Sequence, residues 1–124
     1  MARKILIVED DPDHRMGLSV RLRAEGYATA FAADGAQAMM AVRKEQPDLI
    51  LLDLGLPAGD GYAVLERLGA NSRFASIPVI VASARNRELN EAKALEAGAL
   101  AYFEKPFEHE ELVETIERQL ERAG

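Results

Sequence analysis

The residues best suited to chemistry are acidic, and they follow short apolar segments. Glu9 and Asp10 come directly after residues 4–8, and Asp53 comes directly after residues 49–52. Carboxylates about 4 Å apart repel one another by roughly 4 kcal/mol per pair at an effective dielectric constant of 20, so a group of three needs a cation. Oxygen ligands without a nearby histidine or cysteine favour Mg²⁺. These residues predict a magnesium site in which Asp53 acts as a carboxylate nucleophile toward phosphorus.

Two further polar side chains follow apolar runs in the second half of the chain. Ser83 follows residues 79–82, and Lys105 follows residues 100–104. A lysine ammonium neutralises a phosphoryl oxygen, and a serine hydroxyl can donate a hydrogen bond to another one. Taken alone, Ser83 is an ordinary strand-end hydroxyl and Lys105 an ordinary solvated amine. Together with the three acids, they predict a site that accepts a phosphoryl group.

Apolar runs alternate with helix-forming segments along the whole chain. The predicted strands are residues 4–8, 29–32, 49–52, 79–82 and 100–104. The predicted helices are residues 12–25, 36–45, 62–68 and 87–97, and a last helix with the apolar stripe Leu112, Val113, Ile116 and Leu120. Right-handed crossovers make such strands parallel. The pattern predicts an α/β fold, a flavodoxin-like doubly wound (βα)5 three-layer sandwich with strand order 2-1-3-4-5.

This strand order positions the chemically active residues. Strands one and three become neighbours, so the three acids meet at the carboxyl edge of the sheet, where ligands bind in open α/β sheets. Strands four and five add Ser83 and Lys105 beside them. The first helix is expected to be partly buried through Met16, Leu18, Val20 and Leu22.

Length, charge and cysteine content exclude several classes of protein. The 124 residues suit one domain, and the net charge of −6 disfavours binding to a nucleic-acid backbone. With no cysteine, the chain has no disulfide, thiolate metal site or thiol nucleophile. No apolar run approaches the roughly 20 residues that span a bilayer, and the N-terminal run is too short for a signal peptide. We expect a cytoplasmic protein that contacts neither membrane nor nucleic acid directly.

Four segments resemble the receiver domain of bacterial two-component response regulators, which has the fold of the chemotaxis regulator. They are KILIVEDD at the start, LILLDLGLPAGDG in the middle, VIVASAR at the fourth strand and AYFEKPF at the fifth strand. The resemblance covers nearly all of the chain and implies a single receiver domain over residues 1–124. Each motif alone is weak, whereas their joint spacing is specific.

The resemblance implies a role for each matching residue. At the acidic cluster the roles are Asp53 as phosphorylation site, Asp10 as direct metal ligand, Glu9 as ligand through water and the Gly55 carbonyl as third protein ligand. At the other strand ends they are Ser83 and Tyr102 as switch residues, Lys105 as the active-site lysine and Pro106 after a cis peptide bond. Gly55 and Arg85 occupy the two positions that tune dephosphorylation in the family.

The resemblance also implies a mechanism. A sensor histidine kinase or phosphotransfer protein would donate the phosphoryl group, with Mg²⁺ as cofactor. The chain would catalyse only its own phosphorylation and dephosphorylation, so it is not expected to be a turnover enzyme. Phosphorylation would draw Ser83 toward the phosphoryl oxygens, let Tyr102 turn inward, and change the face made by the fourth helix, fifth strand and fifth helix, which regulates a downstream effector.

Three alternatives share parts of this pattern. A flavodoxin needs hydroxyls and backbone donors in its first loop, and here that loop is acidic. A haloacid-dehalogenase-type phosphatase needs a second aspartate two residues after its nucleophile, where this chain has Gly55. A receiver-like interaction module that works without phosphorylation remains open, although the presence of all the site residues counts against it. A structural or binding protein would not need Asp53.

Several residues have simpler interpretations. Asp11 is expected to cap the first helix and Asp60 to lie in a turn. His14 and His109 are interpreted as solvated side chains without metal-ligand spacing. The pair Met39-Met40 is expected to fill the core with one side chain pointing out.

The predicted output face carries a charge pattern that disfavours self-association. Residues 98–102 are uncharged, whereas the fifth helix presents the acids Glu110, Glu111, Glu114, Glu117 and Glu121. An acidic face repels its own copy across a two-fold axis. We expect a monomer that docks a partner, with Leu100 and Tyr102 at the centre of the surface and the acids at its rim.

Overall fold

Five strands alternate with five helices in this computed structural model, which describes residues 2–57 and 60–123. The strands are β1 Lys4–Val8, β2 Ala28–Ala32, β3 Leu49–Leu52, β4 Val79–Ser83 and β5 Ala101–Glu104. The helices are α1 Pro12–Ala24, α2 Gly35–Glu45, α3 Gly61–Ala70, α4 Arg87–Glu96 and α5 His109–Ala123. Every predicted element is present, with bounds shifted by one or two residues at several ends.

The strands form one parallel sheet in the order β2-β1-β3-β4-β5. All residues of β3 and β4 are buried, because helices cover both faces of the central strands. The predicted flavodoxin-like fold and strand order are confirmed. The assignment of residues 1–124 to a single domain stays a prediction.

Two hydrophobic cores lie on opposite faces of the sheet. One contains side chains of α2, α3 and α4, among them Val42, Leu65 and Ala94. The other contains side chains of α1 and α5, among them Leu22 and Ile116. This three-layer arrangement leaves the carboxyl edge of the sheet as the place where loops from several strands meet.

Helix α1 packs differently from the prediction. Met16 and Val20 are 54% and 53% exposed, whereas Leu22 is fully buried and Leu18 partly buried. The buried face instead includes Ser19, whose hydroxyl lies 2.7 Å from that of Thr29 in β2. The expectation for Met16 and Val20 is wrong because α1 turns those positions toward solvent.

Other local predictions agree with the structure. Asp11 caps α1 by accepting from the N–H groups of the first turn. Asp60 is the N-cap of α3 and is therefore more than a turn residue. Met39 packs against the core and Met40 is 67% exposed. Within the described residues, no helix is long and apolar enough to cross a membrane.

Helix α3 begins unusually close to the end of β3. A Cβ on Gly61 would lie 2.5 Å from the carbonyl oxygen of Asp53 and 2.6 Å from the Cα of Leu54. The Gly61 N–H also donates to the Leu54 carbonyl at 2.9 Å. The start of α3 is thus packed directly on the backbone that carries Asp53, and only glycine fits there.

We predict that Gly61→Ala destabilises the protein by about 1–3 kcal/mol, because the added methyl group must push backbone apart. Gly17→Ala is the control, since Gly17 lies within α1 and a Cβ added there would have nothing within 4 Å. It should stabilise by about 0.5–1 kcal/mol, as alanine favours a helix interior. Urea unfolding measures both. Equal stability of the two variants would contradict the close packing of α3 on β3.

Candidate functional site

Glu9, Asp10 and Asp53 meet at the carboxyl edge of the sheet. One oxygen of each carboxylate lies within 4.8 Å of the others. The pairing of β1 with β3 produces this arrangement, and the Asp53 N–H extends it by donating to the Val8 carbonyl at 3.0 Å. Glu9 and Asp53 are buried, at 3% and 9% exposure, whereas Asp10 is exposed. The structure therefore brings the three predicted acids together.

Lys105 reaches this cluster from the loop between β5 and α5. Its N–H donates to the Ser83 carbonyl at 2.8 Å, which fixes the loop against the end of β4. Its ammonium Nζ donates to Glu9 Oε1 and lies 3.3 Å from Asp53 Oδ2. The side chain is only 13% exposed, so it is not the solvated amine of the simpler interpretation. One buried cation thus joins two of the three acids.

The carboxylate of Asp53 is stabilised in its ionised form. Burial alone would raise its pKa, but the Gly55 N–H, 3.0 Å from Oδ1, and the charge of Lys105 outweigh burial and lower the pKa below its ordinary value. An ionised carboxylate has the lone pairs that nucleophilic attack requires. Asp53 is therefore charged at neutral pH and partly shielded from water.

Gly55 contacts Asp53 through its N–H group. Its predicted role as a metal ligand involves the carbonyl, and this stays a prediction. A Cβ at this position would lie 3.9 Å from Asp53 Oδ1. That distance is an ordinary van der Waals contact, so a Cβ here would touch the carboxylate without a clash.

His14 is exposed, as expected for a solvated residue, but it also contacts the site, which the sequence did not predict. Its Nδ1 is 3.1 Å from Glu9 Oε1, although its side chain remains 48% exposed. The adjacent Arg15 donates to the Glu9 carbonyl at 2.9 Å. The available sequence signal was the position of both residues in the first turns of α1, directly after the acidic loop.

The side chains of Ser83 and Tyr102 both form hydrogen bonds with the backbone of Arg85. Ser83 is 1% exposed, and its Oγ accepts from the Arg85 N–H at 3.2 Å. Tyr102 is 3% exposed, and its hydroxyl donates to the Arg85 carbonyl at 2.8 Å. The ring therefore already holds the inward position that was expected to follow phosphorylation. The expectation that Tyr102 forms the centre of an exposed docking surface is wrong, because the ring is buried.

The remaining predicted site residue is Pro106. The Lys105–Pro106 peptide bond is cis, as the resemblance implied. The structure thus places all the predicted residues at one edge of the sheet, while their roles in phosphorylation stay predictions. The arrangement offers a nucleophilic carboxylate, oxygen ligands for a cation, a buried ammonium and a nearby hydroxyl.

We predict that Lys105→Met raises the pKa of Asp53, because it removes a positive charge that favours the carboxylate. Carboxyl carbon NMR titration in EDTA measures this change. A lowered folded-state pKa adds stability that is fully present above the ordinary aspartate pKa of about 3.9 and is lost as pH falls through the folded value. In Lys105→Met, ionised Asp53 should therefore contribute less to the free energy of unfolding, and less stability should be lost as the pH falls.

Lys44→Met is the matched control, since Lys44 is an exposed lysine in the last turn of α2. It should leave the Asp53 titration unchanged. An Asp53 pKa that stays the same in Lys105→Met would refute the electrostatic role of Lys105.

Comparison with known proteins identifies the family of this chain. Residues 5–117 match the family model described as the response regulator receiver domain. The chain is 41% identical over 122 residues to the DNA-binding response regulator MtrA of Mycolicibacterium smegmatis, a match that covers 98% of this chain and 52% of the relative. The chain thus spans about half the length of that relative.

Solved structures give the same result. A CheY-like receiver domain protein from Methanospirillum hungatei is 28% identical with a TM-score of 0.90, covering 99% of this chain and 97% of that one. The receiver domain of the sensor histidine kinase PA1611 from Pseudomonas aeruginosa, solved with a magnesium ion in its active-site cleft, is 32% identical with a TM-score of 0.88, covering 98% and 99%. The family match and the shared fold together show that this chain belongs to the response regulator receiver domains of two-component systems.

Proposed function

We propose that this receiver domain accepts a phosphoryl group on Asp53 from the phosphohistidine of a sensor histidine kinase or a phosphotransfer protein. The observation that carries the proposal is the ionised, largely buried carboxylate of Asp53, which has an ammonium 3.3 Å from one oxygen. Two more carboxylates stand beside it with oxygen atoms within 4.8 Å. This is the set of groups that phosphoryl transfer requires, a positioned nucleophile among charge-stabilising partners.

Each residue contributes a separate part of the transfer. A carboxylate oxygen of Asp53 forms the bond to phosphorus while the bond from phosphorus to the donor imidazole nitrogen breaks, and that electron pair stays on the imidazole. Lys105 neutralises charge on a phosphoryl oxygen, and the Ser83 hydroxyl donates to another. Lys105 lies next to both Glu9 and Asp53, so only a small movement is needed for it to reach the new group.

The acidic cluster fits Mg²⁺. Its donors are carboxylate oxygens of Glu9, Asp10 and Asp53, the hard ligands that this ion prefers, and the Gly55 carbonyl is proposed as a further ligand. Asp10 is exposed and so can bind an ion that keeps several waters. When bound, Mg²⁺ supplies positive charge that offsets the developing charge on the phosphoryl oxygens.

The proposal extends to the cellular role. We propose a cytoplasmic phosphorelay component that catalyses only its own phosphorylation and dephosphorylation, and that regulates an effector protein or domain. The relative MtrA is described as DNA-binding, yet this chain aligns with about half of it. Contact with nucleic acid is therefore not assigned to the receiver domain, and its net charge of −6 argues against it.

We predict that acetyl phosphate with Mg²⁺ adds one phosphoryl group to the wild-type chain and none to Asp53→Asn. Intact-mass spectrometry measures the modification, and EDTA should prevent it. Asp34→Asn is the control, because Asp34 caps α2 and asparagine is an equally good cap. It should be modified like the wild type.

Modification of Asp53→Asn to the wild-type extent would place the acceptor elsewhere. A wild-type chain that resists modification by acetyl phosphate and by kinases, yet binds a partner, would favour the phosphorylation-independent interaction module instead.

The proposed output surface lies between α4, β5 and α5. A groove of about 790 Å³ occurs there, lined by Leu95 and Leu100, which are 44% and 50% exposed. Since Tyr102 is buried, these leucines replace it as the apolar centre of the surface. The five glutamates of α5 are exposed as expected. We propose that this surface docks a partner and that the chain itself is a monomer.

We predict a monomer by sedimentation velocity, with and without Mg²⁺ and beryllofluoride, because the acidic α5 faces of two copies repel. Leu100→Ser should leave sedimentation unchanged. Met40→Ser is the control, as Met40 is an exposed apolar side chain on α2. A dimer that forms with beryllofluoride and is lost in Leu100→Ser, but not in Met40→Ser, would overturn the monomer assignment.

A further inference from the structure

Arg85 occupies the loop between β4 and α4 and makes three kinds of contact. Its N–H donates to Ser83 Oγ at 3.2 Å, and its carbonyl accepts from the Tyr102 hydroxyl at 2.8 Å. Its guanidinium Nη2 donates to Asp60 Oδ2 at 2.8 Å. One residue therefore touches both predicted switch side chains through its backbone and the start of α3 through its side chain.

Asp60 uses its two carboxylate oxygens for different purposes. Oδ1 accepts from the Tyr62 N–H at 2.9 Å and caps α3, while Oδ2 binds Arg85. The next residue, Gly61, is packed on the backbone of Asp53. Asp60 is thus anchored to the segment that carries the phosphoacceptor, and it holds Arg85 from there.

We propose that Arg85 is a positioning residue for Tyr102 and that Asp60 holds Arg85 in place. The Asp60–Arg85 ion pair keeps the β4–α4 loop in the conformation whose carbonyl binds the Tyr102 hydroxyl. This contact links the loop after Asp53 to the output face by a route separate from the Ser83 hydroxyl. The inference goes beyond the phosphoacceptor role and does not depend on it.

The Asp60–Arg85 ion pair is exposed enough to influence the position of Tyr102 without deciding whether the protein folds. The Arg85 and Asp60 side chains are 38% and 46% exposed. Exposed ion pairs contribute little to overall stability, so breaking this one should leave the protein folded. A small contribution is still enough to shift the balance between two positions of one ring when that balance is close.

The structure offers a selective variant. Asparagine caps helices as well as aspartate does, so Asp60→Asn keeps the hydrogen bond to the Tyr62 N–H and removes the charge that holds Arg85. Glu91→Gln is the matched control, because Arg87 and Glu91 form a similar exposed pair, at 2.9 Å, on the neighbouring helix α4. Arg85→Gln removes the same pair from its other side, and Arg85→Lys preserves the positive charge.

The experiment is ¹⁹F NMR of the full chain labelled with fluorotyrosine, with the Tyr102 signal assigned from Tyr102→Phe. A soluble paramagnetic reagent reports exposure of the ring. Asp60→Asn and Arg85→Gln should each shift the balance toward exposed Tyr102 by about 1.4- to fivefold, the range for an exposed ion pair. The double variant should do no more than either single one, because both remove one interaction. Arg85→Lys should restore most of the wild-type signal, and Glu91→Gln should match the wild type.

An unchanged Tyr102 signal in Asp60→Asn would overturn the proposal. Additive effects in the double variant, or an equal effect of Glu91→Gln, would also overturn it, since either means that general charge loss is responsible. No phosphoryl donor is used, so failure of Asp53 phosphorylation would leave this result intact.

Discussion

The pairing of β1 with β3 is the constraint on which the site depends. It places carboxylates at the ends of two adjacent strands, where oxygen atoms of three acids lie within 4.8 Å of one another. Unscreened, such neighbours repel by roughly 4 kcal/mol per pair at an effective dielectric constant of 20. The buried ammonium of Lys105 offsets part of that repulsion. The other features of the site place the Lys105 ammonium next to these acids.

Strand order is what makes this possible. Lys105 directly follows the edge strand β5, and its N–H is held to the end of β4 by the Ser83 carbonyl. Tyr102 lies within β5 and Arg85 in the loop between β4 and α4, so the chemical residues and the output face share neighbouring segments. Helix α3 completes the arrangement because Gly61 packs on the backbone of Asp53. The residues proposed for phosphoryl transfer and those proposed to position Tyr102 therefore lie next to one another.

Much of the fold could be predicted from the sequence, because alternating apolar and helical segments with right-handed crossovers allow few arrangements. The acidic cluster followed from that topology. The position of His14 did not, because side-chain contacts depend on how α1 is rotated, and that rotation also exposes Met16 and Val20. The Asp60–Arg85 pair joins residues 25 apart in sequence, and no local pattern signals such a contact.

The sequence separation of the site's partners has a consequence for folding. Lys105 and Glu9 are 96 residues apart, and Lys105 and Asp53 are 52 apart. Contacts of this range form only after large loops close, so they slow folding and are absent from local structure in the unfolded chain. A ligand that needs all these groups binds the native state alone and stabilises it by mass action. Occupancy of the site would then protect the chain from unfolding and from proteolysis of its unfolded state.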